Sequence, residues 1–195
     1  MGRHKTISDA DVLRVARDVF RADGHTATTR TIARAAGISE AVLYQRFGSK
    51  DELFFAAMRP TGPDVDGLLG PSDPPADARA YLRQVTVRLG QYFADVIPLA
   101  LHLMTHPAFD PAVFARAQPT ASTILKEGLA GRLRSLADRK RLAAPTPDVV
   151  ARLLVSLAHD WALGGILSPR AAAARLRELT DLVDVVWTGL RPAKS

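Results

Sequence analysis

The sequence predicts an all-α protein in which an N-terminal three-helix, helix-turn-helix domain is followed by a larger helical domain. Three observations carry this. Residues 28–53, TTRTIARAAGISEAVLYQRFGSKDEL, hold two short helical periods, a tight turn between them and a third helix start. Every long segment beyond residue 75 repeats apolar residues at spacings of three and four. Between these parts, residues 59–75 contain eight Pro or Gly in seventeen positions, which marks a connection and divides the chain into domains 1–58 and 59–195.

In chain order, a first helix spans Ser8 to Ala22, with Val12, Val15, Ala16, Val19 and Phe20 forming an apolar stripe. Thr28 or Thr29 caps a second helix whose Ile32, Ala33 and Ala36 recur at helical spacing, and Gly37 supplies the permissive backbone that ends it. Ser39 caps a third helix. Its Val42, Leu43, Tyr44 and Phe47 give it a core face and an outward face before Gly48 closes it. So short a helix is not stable alone, and the first helix supplies its support. A fourth starts at the capping box Ser49-x-x-Glu52 and runs through Leu53, Phe54, Ala57 and Met58 until Pro60.

After the connection a long helix opens near Pro75, carries Leu82, Val85, Leu89, Tyr92, Phe93 and Val96, and ends near Pro98. A shorter helical segment covers Leu99 to His106. Asp110-Pro111 opens another, which Pro119 interrupts before Ile124, Leu125, Leu129, Leu133 and Leu136 resume the period. Two terminal helices are announced by Thr146-Pro147-Asp148 and Ser168-Pro169, a capping oxygen before a Pro at the first helical position. The first buries Val150, Leu153, Leu154, Leu157 and Trp161. The last carries the seam Leu176, Leu179, Val183, Val186 and Leu190, with Leu182, Val185 and Trp187 beside it, an apolar surface wider than one neighbouring helix covers. Leu154, Leu157 and the five seam residues are therefore the expected homodimer interface.

Length and composition bound the function. A chain of 195 residues buries a real core, and 47% hydrophobic with 24% charged residues describes a folded globular protein. No apolar run approaches a membrane span and the N-terminus lacks an apolar signal core, so a cytoplasmic protein without a membrane partner is expected. The absence of cysteine excludes disulfides, thiolate metal sites and cysteine nucleophiles. The net charge of +6 favours a polyanionic partner, yet residues 1–58 hold nine Lys plus Arg against seven Asp plus Glu. Charge alone is thus weak support for DNA binding; the basic run from Arg132 to Arg141 reads as a solvated helix end, and Arg3 with Lys5 as a small arm.

The second helix of a helix-turn-helix lies in the major groove and presents its N-terminal residues to base edges. Here it spans Ser39, Glu40, Ala41, Val42, Tyr44, Gln45 and Arg46. With Leu43 and Phe47 in the core, Glu40, Ala41 and Gln45 project outward. Gln45 suits an adenine and Ala41 or Val42 a thymine methyl, while Glu40 repels phosphate and is restricted to accepting from a cytosine or orienting Arg46.

Over about its first 58 residues the chain resembles the tetracycline-repressor (TetR) family of bacterial one-component regulators. The resemblance rests on Phe20-x-x-x-Gly24, Thr28-Thr29-Arg30, Ile32-Ala33, Ala36-Gly37-Ile38-Ser39, Leu43-Tyr44, Phe47 and Ser49-Lys50-Asp51-Glu52-Leu53. Gln45 and Arg46 depart from the aromatic residues or His common there. The resemblance implies Arg30 as a base or phosphate contact and Thr29, Tyr44 and Lys50 as phosphate contacts. It further implies a ligand-responsive transcriptional regulator, most often a repressor, acting as a homodimer on a near-palindromic double-stranded DNA operator, with a small-molecule effector held by the second domain.

His102 and His106 are four apart, and His159 and Asp160 are possible additions, but these residues are expected to be ordinary histidines rather than metal ligands. They are better candidates for a cavity lined by Tyr92, Phe93, His102, Met104, His106, Phe114, His159 and Trp161. No metal or other cofactor is expected. An enzyme is the competing class, without a phosphate loop, nucleophile and base, or metal constellation to support it; an architectural DNA-binding protein without effector is the third.

Overall fold

The computed structural model describes residues 7–60, 62–112, 120–143, 146–168 and 171–190, with His25 by its backbone alone, and all regular structure among them is helical. The helices are α1 (Asp9–Asp23), α2 (Thr29–Ala36), α3 (Glu40–Phe47), α4 (Lys50–Met58), α5 (Val65–Leu69), α6 (Ala78–Met104), α7 (Ala121–Asp138), α8 (Pro147–Leu167) and α9 (Ala172–Leu190). Arg3, Lys5 and Phe114 lie outside the described residues.

Capping chemistry sets the starts of the first four helices. The side chains of Ser8, Thr28, Ser39 and Ser49 each accept a backbone N–H three residues on, and Ser49 with Glu52 completes the capping box. Thr146 is the exception. It precedes Pro147 as expected, but its side chain makes no capping hydrogen bond.

Two compact units result, and their border does not follow the linear division at residue 58. Met1–Pro60 joins with Leu99–Pro111, and Thr61–Pro98 joins with Ala112–Ser195. In the first unit Val12, Ala16 and Phe20 of α1 meet Ile32, Ala33, Leu43, Leu53, Phe54, Met58, Leu99 and Leu103 in one apolar core. Phe20 and Phe54 pack edge to face at 5.0 Å, and Arg17 Nε donates to the Ala57 carbonyl at 2.7 Å. The expected end of a helix near Pro98 is corrected: α6 continues through it to Met104. Proline removes one backbone donor, and burial of Leu99 and Leu103 offsets that loss.

In the second unit α6, α7, α8 and α9 bury Tyr81, Leu82, Val85, Leu89, Leu125, Leu129, Leu133, Leu154, Val155 and Val183 together. Gly90 permits close approach of α6 and α8, because a Cβ there would stand 2.8 Å from Trp161 Cε3. The short helix α5 lies inside the segment the sequence marks as a connection; five residues are too few to show a period, and Asp64 caps it onto Gly67. Asp184 of α9 binds Arg79 and Arg83 of α6 at 2.8 Å each, and the hydrogen bond from Arg79 holds its carboxyl below the usual range.

Three further expectations are corrected. Leu179, Val183 and Leu190 are buried within the chain's own fold, Val186 packs against the same core, and Leu154 is buried in α8, so these are not a free seam. Leu153 is exposed rather than buried. By length and composition α8 is apolar enough to cross a membrane, contrary to the sequence reading, although Val150, Ala151, Leu154, Val155, Ala158 and Ala162 serve the core while Arg152, His159 and Asp160 stay exposed.

In the basic run Arg134, Arg139, Lys140 and Arg141 are exposed as expected, and Arg132 is the exception. Arg132 is only 5% exposed, donates through Nε to the Gly70 carbonyl at 2.9 Å and through Nη1 to Gly128 at 3.1 Å, and pairs with Asp66 at 2.7 Å. Arg134 pairs with Asp148, and Arg139 with Asp73. Arg132 thereby pins α5 and the residues after it to α7. Arg132→Met is expected to lower stability by about 2 to 3 kcal/mol, because charged hydrogen bonds from a buried guanidinium to the Gly70 and Gly128 carbonyls are lost. Asp66, with a side chain 82% exposed, rehydrates when unpaired, so Asp66→Asn should cost below about 1 kcal/mol. Urea midpoints of the two variants check this order.

Candidate nucleic-acid interface

The turn between α2 and α3 fixes the geometry of the head. Gly37 takes φ 69° and ψ 29°, the left-handed region, and Ile38 N–H reaches the Ala33 carbonyl at 3.0 Å while Gly37 N–H reaches Arg34. Ser39 then caps α3 through the Val42 N–H at 3.2 Å. Leu43 is buried and Phe47 packs partly against the same core. The opposite side of α3 presents Ala41, Tyr44 and Gln45 to solvent, with Val42 half-buried beside them.

Four polar groups assemble around the first residue of α3. Thr29 Oγ1 donates to Glu40 Oε2 at 3.0 Å and lies 3.2 Å from the Tyr44 hydroxyl. Arg30 Nε stands 3.4 Å from Glu40 Oε1 with its side chain 79% exposed. Thr29 itself is only 8% exposed, which corrects its expected place on the surface. It falls on the side of α2 that carries Ile32, Ala33 and Ala36, so its side chain points inward and only the helix start remains toward a phosphate.

Arg46 is also corrected. Its Nη1 donates to the Ile7 carbonyl at 2.8 Å and meets Asp9 Oδ1 at 3.3 Å, tying the end of α3 to the start of α1. It neither faces outward nor touches Glu40, which pairs with Arg30 instead. The sequence carries little signal of this strut, because residues 7–9 and 46 are far apart in the chain. Lys50 opens α4, half-buried, next to the capping box.

The expected cavity residues divide between the two units. His102, Met104 and His106 belong to the first, where His106 stacks on Phe54 at 4.4 Å, meets Phe55 at 5.0 Å and stands 3.5 Å from Asp51. Among the described residues, no group of three or more His, Cys, Asp or Glu is placed to hold a metal ion. In the second unit Phe93 meets Tyr92 at 5.5 Å and His159 at 5.2 Å, and Trp161 Nε1 donates to the Arg175 carbonyl at 2.8 Å. An open groove of about 530 Å³ lies elsewhere in that unit, lined by Ala80, Arg83, Gln84, Val87, Arg88 and Thr180. The buried polar atoms without a hydrogen-bond partner among the described residues are Arg83 Nε, Arg88 Nε and the Tyr92 hydroxyl, all on α6.

A helical chain whose head holds a capped helix-turn-helix with an exposed second helix is a DNA-binding transcriptional regulator. Residues 12–57 match the model of the bacterial regulatory proteins of the tetR family, a match that covers the helix-turn-helix head. It is 26% identical over 186 residues to the HTH-type transcriptional repressor AcnR of Corynebacterium efficiens, covering 94% of this chain and 93% of that protein. Two solved structures share the fold. A TetR-family regulator from Mesorhizobium loti aligns with a TM-score of 0.75 at 18% identity, covering 94% of this chain and 96% of that one. A transcriptional regulator from Rhodococcus aligns with a TM-score of 0.67 at 22% identity, covering 96% and 100%.

Gln45, exposed as expected, and Arg46, turned back to α1, give a direct comparison. Gln45→Ala is expected to relax base preference at one position of each half-site, at a cost of about 1 to 3 kcal/mol on the preferred operator. Arg46→Met should instead lower thermal stability and leave base preference unchanged. Selection of binding sites from a random DNA pool, with melting curves of both variants, checks the pair; an altered base profile for Arg46→Met would return that residue to the reading face.

Proposed function

We propose that the protein is a cytoplasmic repressor that binds a near-palindromic operator as a homodimer and is controlled by a small molecule held in its second unit. The exposed face of α3, with Ala41, Tyr44 and Gln45 free of the core, is the observation that carries the DNA reading. Operator affinity comes from phosphates met by Arg30, Tyr44, Lys50 and the helix starts, and sequence choice from α3. Likeness to a protein named as a repressor supports the sign of control. The first experiment is electrophoretic or anisotropy titration of the full chain on DNA flanking its own gene, at several salt concentrations.

The dimer face sits beside the expected seam rather than on it. Val149 and Leu153 of α8, at 60% and 44% exposure, are four residues apart, and half-buried Leu157 continues their line. On α9 Leu182 and Val185 are exposed, Val185 by 72%. These two rows form the apolar surface that a second copy covers. Val185→Asp is expected to give folded monomers with operator affinity lowered a hundredfold or more. Val183→Asp should unfold the unit, since it places a charge in the core. Sedimentation velocity and circular dichroism separate the two outcomes; a Val185→Asp protein that remains dimeric overturns this face.

The three unpartnered donors on α6 support an effector rich in hydrogen-bond acceptors. An orphaned buried donor costs about 1 to 3 kcal/mol, and Arg88 and Tyr92 stand one turn apart. A carboxylate with a short apolar body suits the Arg88 side of the groove, where Ala80 and Val87 supply the apolar lining. Tryptophan fluorescence titrated with octanoate, against octanol as the uncharged control, is expected to show binding of the acid alone. Arg88→Met should weaken it at least tenfold, and equal binding of acid and alcohol would contradict the assignment.

A further inference from the structure

Glu40 is the one carboxylate within α3, the helix expected to approach a polyanion. A glutamate at the first position of a helix is ordinarily explained by the macrodipole, with its oxygens near the helix's own N–H groups. Here both oxygens turn away to α2. Oε2 accepts the Thr29 hydroxyl, Oε1 faces Arg30 Nε, and the Tyr44 hydroxyl is left to donate to Thr29 Oγ1, so the chain runs from Tyr44 through Thr29 to Glu40 and ends at Arg30. A phenol and a guanidinium at a helix start form a donor set that receives a phosphate oxygen. In the free head that set already holds an anion of its own.

We propose that Glu40 is a discrimination residue, which occupies the phosphate donors Arg30 directly and Tyr44 through the buried Thr29 hydroxyl in the absence of a matching sequence and yields them where the major groove offers a cytosine amino group. The two halves of this statement follow from the same charge. Any duplex brings phosphates that must displace the carboxylate from Arg30, so DNA bound through its backbone alone is penalised. A carboxylate pushed into the groove loses its partners and faces electronegative base edges, except at the N4 amine of cytosine, which donates to it. Arg30, largely exposed and held by one pairing, is free to swing to a phosphate once Glu40 is engaged.

The inference rests on the operator reading above, and the test keeps the two apart. Full-length wild type, Glu40→Gln, Arg30→Gln and the double variant are titrated by anisotropy with a random-sequence duplex and with the duplex that the wild type selects from a random pool. Glu40→Gln is expected to bind random DNA three- to tenfold more tightly and to lose at least tenfold of its operator-to-random ratio. Its selected sites should lose one cytosine preference per half-site, and its salt dependence should steepen as Arg30 takes up a phosphate. The gain on random DNA should vanish in the double variant, an outcome that a merely helix-stabilising glutamate does not produce. If the wild type prefers an operator while Glu40→Gln keeps the same random-DNA affinity and base profile, the inference fails. If the wild type binds DNA without preference, the operator reading fails first and this inference with it.

Discussion

An eight-residue helix does not hold its shape in water, and the organisation of the head follows from that constraint. α3 is kept by what surrounds it. Leu43 anchors its middle in the core, the left-handed Gly37 and the Ser39 cap set where it begins, and Arg46 ties its last turn to Ile7 and Asp9. The residues left over after these duties, Ala41, Tyr44 and Gln45, define the surface available for recognition. Rigidity and reading are thus divided around one helix by the period of 3.6 residues.

What was legible in the sequence was what is local. Caps at Thr28, Ser39 and Ser49 and the glycine at 37 act within three or four residues, and each is found in place. Core positions of the first four helices followed from spacing alone. Long-range choices were not legible. Periodicity shows that Leu179, Val183 and Leu190 share a face, but not whether α6 and α8 of the same chain or another molecule covers it. Leu99 and Leu103 are similar: their spacing marks a helix, yet nothing nearby says that they belong to the core of the first unit. The sequence marks Thr29, Glu40 and Tyr44 individually, while the hydrogen bonds linking them span 11 and 15 residues and exist only in the fold.

Charge composition misleads in the same way. The excess of basic residues suggests a polyanion surface, but several arginines are internal braces. Arg132 pins α5, Arg79 and Arg83 share Asp184 between α6 and α9, Arg17 holds α4 to α1, and Arg46 holds α3. Burial also pushes the Tyr81 phenol up to about 12, so its hydroxyl stays protonated and donates to the Leu69 carbonyl beside the Arg132 brace. A guanidinium with its geometry fixed by carbonyls contributes little to a mobile phosphate contact, whatever it adds to the formal charge.

These observations connect the small charge of the head to the apolar surface of the other unit. With nine basic against seven acidic side chains in residues 1–58, and two of the arginines used as braces, a single head has few cations to release counterions from DNA. Weak attachment of one head has a use, because a reader held by its backbone contacts alone would rest on any sequence. In the proposed dimer, affinity comes from a second head whose binding is made nearly intramolecular by a shared body. The exposed rows on α8 and α9 are the surface proposed for that body, and their distance in sequence from α3 would let recognition and association be altered independently. A low head charge, a carboxylate paired with Arg30 and an exposed apolar face on α8 and α9 are therefore consistent parts of the proposed arrangement, in which selectivity is set by weakening each head and recovered by joining two.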